Sequence, residues 1–250
     1  MSLRLRATGI HLAGSTAVAA IAWWLVFRLW YPAPLDALAG GTTLFMLLVA
    51  VDVVIGPALT AVVASGKKPR LELARDLAVI LTLQLSAFGY GLYTMALARP
   101  VAIAFEVDLF RVVSAIDVDL ATLSAAPARL RSLSWSGPKT IAAVKPTDAA
   151  EQLRTIELGL AGVALATLPI HWREYAPLAA EAWAVAKPVS ELLGNGAVAQ
   201  TDVERIAANA GVATSDLRAI PLLALRAEGM VLLAAPDARV VGVLALKTRP

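Results

Sequence analysis

Cysteine is absent from this chain of 250 residues, so disulfide bonds, thiol catalysis and cysteine-ligated metals are excluded. Histidine is scarce, with two residues in the whole chain. The sequence also lacks the short motifs of zinc proteases (HExxH), serine hydrolases (GxSxG) and P-loop nucleotide-binding proteins. Charged residues make up 16% of the chain, against roughly 25% in soluble proteins. These shortages leave little material for enzymatic chemistry.

Hydrophobic residues, by contrast, make up 58% of the chain, and the mean hydropathy is +0.70. The excess is concentrated in three apolar runs, at about 9–31, 44–64 and 77–97. Each run, as a helix, is long enough to cross a hydrocarbon core of about 30 Å. The sequence therefore predicts a membrane protein with an α-helical bundle of three transmembrane helices in residues 1–97 and an extracytoplasmic domain in residues 98–250.

The net charge of +3 belongs to the membrane part of the sequence. Residues 1–97 contain seven Lys or Arg and four Asp or Glu, whereas residues 98–250 contain fifteen of each. Basic residues precede the first run and fill the 65–76 connection, so the positive-inside rule puts both in the cytoplasm. Residues 98–250 are then periplasmic, on a bacterial inner membrane. The lipid bilayer accounts for the basic charge, and no nucleic acid is expected as a partner.

Two details of the first run bear on this topology. Residues 37–39 have the small-x-small pattern of a cleavage site, so a cleaved signal peptide is the rival interpretation. The apolar run exceeds the roughly 7–15 residues of such a signal, and two further runs follow, which favours a retained span. Its outer end carries the aromatic residues expected at a membrane interface, namely Trp23, Trp24, Trp30 and Tyr31.

The second run contains a carboxylate, Asp52, and a helix-breaking dipeptide, Gly56-Pro57. An aspartate at the centre of a span costs about 2.5–3.5 kcal/mol, which the twelve Leu, Ile, Phe and Val residues between 44 and 63 offset. Asp52, Gly56 and Thr60 are spaced at i, i+4 and i+8, so they form one stripe that is expected to face other helices. Pro57 also leaves the carbonyl of Val53 without its helical donor.

Depth counting along the third run places Gln84 and Tyr90 within about a turn of Asp52. Gly91 lies on the same small and polar stripe as Gln84. Membrane helices associate through such small residues and through interhelical hydrogen bonds. The first run offers a comparable small face at Gly9, Ala13 and Ala17.

Three roles for Asp52 stay open at this point. It is a structural acid bonded to Gln84 or Tyr90, an intramembrane contact for a partner helix, or a catalytic acid. A catalytic role requires a second facing carboxylate, and the candidate, Asp76, lies at the cytoplasmic edge of the third run.

Residues 98–250 alternate between strand-like and helix-like patterns. Strands at both ends with helices between them predict an α+β domain whose terminal strands share one sheet. Strands are expected at 101–108, 110–117 and 140–144 and as three strands near the C-terminus. Helices are expected at 148–160, 176–186 and about 201–210, with capping boxes at Asp148 and Thr201. Four aromatic residues are candidate protein contacts: Trp135, Trp172, Tyr175 and Trp183. This role requires that they are exposed, and packing in the core is the alternative.

Stretches along nearly the whole chain, in order, make it similar to a known family: "GIHL" (9–12), "WYPAPL" (30–35), "VDVVIGPALT" (51–60), "RDLAVI" (75–80), "YGLYTMALARPV" (90–101), "VDLFRVVSA" (107–115), "WSGPK" (135–139) and "VVGVLAL" (240–246). With these stretches the chain resembles the type IV pilin accessory proteins of the TfpX/TfpZ kind, which are related to proteins called FimB. Each stretch alone is weak, and the ordered set is specific.

The resemblance implies an inner-membrane protein that assists pilin stability or pilus assembly, without enzymatic activity or a cofactor. Its expected partners are type IV pilin subunits, major or minor, and other pilus assembly proteins. The alternative interpretation is a membrane-anchored periplasmic sensor or transporter-associated subunit that binds a small ligand. That alternative requires a concave pocket with convergent polar groups in residues 98–250, or a polar channel through the spans.

Overall fold

The computed structural model describes residues 3–64, 69–194 and 196–246. Three helices are long and apolar enough to cross a membrane, Arg4–Trp30, Gly41–Val63 and Leu71–Ala98, which confirms the predicted bundle. The predicted 65–76 connection lies partly outside the described residues, and the third helix already begins at Arg70.

Two of the three long helices contain a wide, π-helical turn. The first helix is α1 (Leu3–Trp24), continued by a wide turn over Leu25–Trp30. A short helix, α2 (Leu35–Leu38), follows in the connection. The middle helix consists of α3 (Gly41–Val49), a wide turn over Ala50–Ile55, and α4 (Gly56–Val63). The third helix is α5 (Arg70–Ala98).

The rest of the chain forms one mixed sheet with helices around it, which confirms the α+β prediction. The helices of this sheet domain are α6 (Ala149–Leu160), α7 (Ala179–Val185), α8 (Val189–Gly194) and α9 (Gln200–Ala210). Its strands are β1 (Pro100–Glu106), β2 (Leu109–Ser114), β3 (Lys139–Ala143), β4 (Trp172–Glu174), β5 (Lys187–Pro188), β6 (Leu217–Leu223), β7 (Glu228–Ala234) and β8 (Arg239–Ala245).

The strand order is β4-β3-β1-β2-β6-β7-β8, with β5 paired to β6. The β1–β3 and β2–β6 pairs are parallel, and the other pairs are antiparallel. The N-terminal hairpin and the three C-terminal strands therefore share one sheet, as the sequence pattern predicts.

The central strands are buried on both faces, so their side chains alternate between two cores. On β1, Ile103 and Phe105 face one core, while Ala102 and Ala104 face the other. Helix α7 covers the first core, and Trp172 closes the second. A third core lies under α9, where the helix packs on β6, β7 and β8. The near-continuous apolar run of β1 follows from this double burial.

The two predicted capping boxes have different outcomes. Asp148 caps α6 by accepting hydrogen bonds from the amides of Ala150 and Glu151. The prediction at Thr201 is wrong, since α9 begins at Gln200 without a side-chain cap. There, the Gln200 side chain donates to Glu204 instead, at 2.6 Å.

The connection between the first two spans packs into the sheet domain. Leu35 and Leu38 belong to the first core, and Leu38 is fully buried. The amide of Arg226 donates to the carbonyl of Leu38 at 3.0 Å, which ties the connection to the segment between β6 and β7. The rival cleavage-site segment, residues 37–39, is thus part of the packing between the bundle and the sheet domain.

A second joint surrounds Arg99, the residue between α5 and β1. Its guanidinium lies 3.7 Å from the ring centre of Trp135, and its Nε donates to the carbonyl of Ser134 at 3.0 Å. The ring of Trp135 also packs on Trp30, with 6.1 Å between centroids. Trp30 and Tyr31, expected at a lipid interface, are buried, and the Tyr31 hydroxyl donates to the Met95 carbonyl at 3.0 Å, whereas Trp23 and Trp24 are exposed.

Replacing Leu38 tests the contribution of the connection to the sheet domain. Leu38→Ala is expected to lower the free energy of unfolding by about 2–5 kcal/mol, because it leaves a cavity in a closed core. The measurement is urea unfolding of the full chain in detergent, followed by tryptophan fluorescence. The matched control is Leu225→Ala, since Leu225 is 73% exposed. Identical unfolding midpoints for the two variants would contradict the packing of Leu38 in the first core.

Candidate functional site

The polar stripe of the middle helix is buried inside the bundle. Asp52 and Thr60 are 7% and 2% exposed, and Gly56 lies between them, also buried. Asp52 lies within the wide turn, and Gly56-Pro57 follows it directly. The stripe therefore faces the other helices and not the lipid. Burying Asp52 among the helices costs less free energy than exposing it to lipid.

Gln84 of α5 compensates the backbone at this kink. In a π-helical turn each carbonyl accepts from the amide five residues later, which for Asp52 is Pro57, a residue without an N–H. Gln84 Nε2 donates instead to the Asp52 carbonyl oxygen at 3.0 Å and to Asp52 Oδ1 at 3.3 Å. Gln84 thus supplies a donor to the carbonyl whose partner in the wide turn would be Pro57.

Gly56 is what allows Gln84 to approach. A Cβ atom built at Gly56 would lie 1.8 Å from Gln84 Nε2 and 2.4 Å from its Cδ, far inside contact distance. Glycine at position 56 therefore serves the close approach of a side chain from the neighbouring helix. Asp52 and Gly56 of the middle helix and Gln84 of α5 thus form one packed unit.

His11 of α1 contacts the same polar stripe of the middle helix, at Thr60. Its Nδ1 lies 2.6 Å from Thr60 Oγ1. The sequence prediction did not include His11 as a site residue. The signal that could have found it is general: a polar side chain inside a span faces protein or a polar cavity, and His11 is the one imidazole in the three spans.

The small face predicted for the first span is wrong. Gly9, Ala13 and Ala17 point away from the bundle, and a Cβ at Gly9 would meet nothing within 4 Å. The buried face of the first helix is instead that of Ser15, Ala19, Ala22 and Val26. Anchoring of His11 to Thr60 sets this rotation of the helix.

A groove opens between α1 and α5 along the membrane-facing side of the bundle. Both helices pack mainly against the middle helix rather than against each other. The resulting space has a volume of about 670 Å³. Its floor is polar and its walls are mostly apolar, and we call it the membrane groove. The floor consists of His11, Asp52, Thr60 and Gln84, and the walls include Ile10, Gly14, Val18, Leu77, Leu81, Leu85 and Phe88.

Gly91 and Tyr90 lie in a smaller cleft on the other side of α5. This cleft, of about 230 Å³, shares Asp52 and Phe88 with the membrane groove. Gly91 permits close packing, since a Cβ there would lie 2.7 Å from Leu48 Cδ1. Tyr90 is 73% exposed and does not bond to Asp52. Of the two predicted partners of Asp52, Gln84 is therefore the one that forms the hydrogen bond.

Two of the four aromatic residues considered as outer contacts are buried. Trp172 donates from Nε1 to the Ala166 carbonyl at 2.8 Å, and Tyr175 donates from its hydroxyl to the Ala238 carbonyl at 2.7 Å. Burial raises the pKa of Tyr175 to about 12, so the phenol stays a donor. Core packing therefore holds for both. A surface contact remains available to the other two residues, Trp135, which is 61% exposed, and Trp183, which is partly buried under Arg218.

The sequence agrees with known proteins over nearly its whole length. The family model for the fimbrial assembly protein FimB matches residues 1–40, which include His11 and the connection with Leu38. The serogroup I fimbrial assembly protein of Dichelobacter nodosus is 34% identical over 228 residues, covering 90% of this chain and 89% of that protein. The chain belongs to the FimB fimbrial assembly family.

Two further fimbrial assembly proteins of Dichelobacter nodosus support this membership. The serogroup E1 protein is 33% identical over 228 residues, which is 90% of this chain and 89% of the relative. The protein of serogroups C1 and C2 is 42% identical over 111 residues, covering 44% of this chain and 85% of the relative. The alignments to the first two FimB-family relatives span most of both the bundle and the sheet domain. No solved structure matches the chain.

Substituting Gly56 tests the packed unit at the groove floor of this FimB-family protein. Gly56→Ala is expected to destabilise the bundle by about 1–3 kcal/mol, because Gln84 must leave Asp52 to admit the methyl group. The measurement is the thermal midpoint of the detergent-solubilised chain together with its level in membranes. Gly89→Ala is the matched control, since a Cβ at Gly89 meets nothing within 4 Å. Equal midpoints for both variants would refute the close approach.

Proposed function

We propose that this chain assists fimbrial assembly from the inner membrane by holding the apolar helix of a pilin subunit in the membrane groove. The groove between α1 and α5 carries the proposal, because it is long, open to lipid and floored by polar groups. The printed names of the Dichelobacter nodosus relatives support the assembly role. Major or minor pilins are the proposed occupants, and other pilus assembly proteins are the proposed further partners.

The groove walls suit a helix as occupant. On α1, Ile10, Gly14 and Val18 repeat every four residues, and Ile10 is 74% exposed. On α5, Leu81 and Leu85 are 50% and 58% exposed. Such spacing presents one face of each wall to an added helix. At Gly14 a Cβ would meet nothing within 4 Å, so this wall leaves room for the close backbone approach that drives association in lipid.

The proposed topology places the sheet domain in the periplasm beside the pilin head. Arg4 and Arg6 precede the first span, and the positive-inside rule assigns that end to the cytoplasm. The sheet domain joins the opposite end of the bundle, at Trp30 and Arg99. A subunit held in the groove would therefore present its head at the level of the sheet domain, with Trp135 and Trp183 as candidate contacts.

We infer that the role is non-enzymatic. Among the described residues lining the membrane groove, Asp52 is the one carboxylate. Hydrolysis by an intramembrane aspartyl mechanism needs two facing carboxylates, and Asp76 does not line the groove. One oxygen of the Asp52 carboxylate, Oδ1, also accepts a hydrogen bond from Gln84. These features suit a chaperone-like holding function better than catalysis.

Photocrosslinking tests the occupant of the groove. Crosslinkers at Leu81 and Leu85 in cells that make pili are expected to capture a pilin, because both side chains face the groove opening. Val62 is the matched control: it is 71% exposed, and two residues from Thr60 place it on the opposite side of the middle helix. The readout is an anti-pilin blot of the crosslinked band. Absence of pilin at positions 81 and 85, or equal capture at 62, would overturn the proposal.

Substitution of Asp52 separates a structural from a partner-contacting role. Asp52→Leu is expected to lower the level of the protein, because it removes one acceptor for Gln84 at a cost of about 1–3 kcal/mol. Asp52→Asn keeps an acceptor and is expected to preserve the level while reducing surface pili. Protein level and pili are measured together, with Val54→Leu, at a residue 63% exposed, as control. Unchanged level and pili in both variants would show that Asp52 has neither role.

A second candidate function rests on a pocket in the sheet domain. This pocket, of about 570 Å³, lies between α6 and the β1–β2 hairpin and combines Arg111, Lys145 and Gln152 with apolar residues. Such a pocket suits a sensor or transporter-associated subunit that binds a small ligand. It ranks second because Arg111 is already engaged with Glu106 at 3.2 Å. The photocrosslinking experiment discriminates, since a ligand-binding subunit would capture no pilin in the membrane groove.

A further inference from the structure

A second membrane-facing groove lies at the end of the bundle nearest the sheet domain, between the first wide turn and the beginning of α3. Its volume is about 720 Å³, and none of its described lining residues lines the membrane groove. We call it the outer groove. It is lined by Trp23, Phe27, Arg28, Tyr31, Pro32, Ala33, Asp36, Thr42, Phe45, Met46 and Val49.

The lining changes from apolar to polar along the depth of the groove. The first helix runs toward the sheet domain and α3 runs away from it, so Trp23 and Val49 lie deepest in the bundle. Above them, Phe27 and Phe45 stack edge to face with 5.1 Å between centroids. Arg28, Asp36 and Thr42 lie toward the sheet-domain end. The groove thus has an apolar lower part and a charged upper rim.

The charged rim has one cation and one anion that are not paired with each other. Among the residues that the structure describes, Arg28 forms no ion pair and is exposed. Asp36 accepts one hydrogen bond, from Thr42 Oγ1 to Oδ2 at 3.2 Å, which leaves Oδ1 available. A bound group that carries a negative and a positive charge would satisfy both residues.

The position of the groove limits the candidates to molecules of the bilayer. Trp23 and Trp24, 48% and 55% exposed, lie at the lower end of the groove, and tryptophan is enriched at membrane interfaces. A molecule with an apolar tail against the lower part of the groove and a charged head at its rim matches the order of the lining residues. Phospholipids have this construction.

We propose that the outer groove binds one zwitterionic phospholipid with a primary ammonium headgroup, with its phosphate on Arg28 and its ammonium on Asp36. The acyl chains lie along the apolar lower part, against Phe45 and Met46. Arg28 offers planar donors that suit phosphate oxygens, and the Asp36 carboxylate accepts from the ammonium. This inference does not depend on the occupant of the membrane groove.

Native mass spectrometry of the full chain in detergent, with defined lipids added, tests the proposal. The probes are phosphatidylethanolamine, phosphatidylglycerol and phosphatidylcholine at equal concentrations. The expected result is one retained phosphatidylethanolamine, with a bound fraction severalfold larger than that of either other lipid. Equal retention of the three lipids, or no retention of any, would overturn the proposal.

Matched variants assign the binding to the groove. Arg28→Gln is expected to reduce retention of every lipid severalfold, while Asp36→Asn keeps binding but removes the preference for phosphatidylethanolamine over phosphatidylglycerol. Arg75→Gln removes the same charge at an exposed residue of α5 and should match the wild type. Met46→Trp fills the groove without changing charge and should also reduce retention, which keeps the test valid if Arg28→Gln folds poorly. Retention in Arg28→Gln and Met46→Trp equal to that in Arg75→Gln would contradict the assignment.

Discussion

Two polar contacts inside the membrane determine how the bundle is built. Gln84 attaches α5 to Asp52, and His11 attaches α1 to Thr60, so both outer helices are fixed to the middle one. In lipid there is no hydrophobic force between helices, and such polar bonds and close packing decide which faces meet. Because α1 and α5 contact the polar stripe at different levels, and both pack mainly on the middle helix, a gap stays open between them. The membrane groove is the space that this arrangement leaves.

The wide turn at Ala50–Ile55 links the kink to the polar floor. In the wide turn the carbonyl of Asp52 would pair with the amide of Pro57, which has no N–H. One side chain, Gln84, then serves both the carbonyl and the carboxylate of the same residue. Asp52, Gly56 and Pro57 therefore act together. Pro57 leaves a carbonyl without a donor, Gln84 supplies the donor, and Gly56 leaves the space that Gln84 needs.

Sequence periodicity could predict the features that depend on local spacing. The three spans follow from the length of the apolar runs, the strands of the sheet from alternation, and the burial of Asp52, Gly56 and Thr60 from their spacing on a helix. Features set by tertiary contact could not be predicted in this way. The rotation of α1, which turns Gly9 outward, depends on the contact from His11 to another span. The burial of Tyr175 depends on strands about 60 residues later in the chain.

The sheet domain packs against the bundle at two separate places, in addition to its covalent connection. One attachment is Leu38 in the first core, and the other is Arg99 with Trp135 at the beginning of β1. A domain attached at one point can rotate about that point, whereas two attachments fix the orientation of the sheet domain relative to the bundle. If a pilin subunit binds in the membrane groove as proposed, its head would therefore meet the sheet domain at a fixed angle to the membrane.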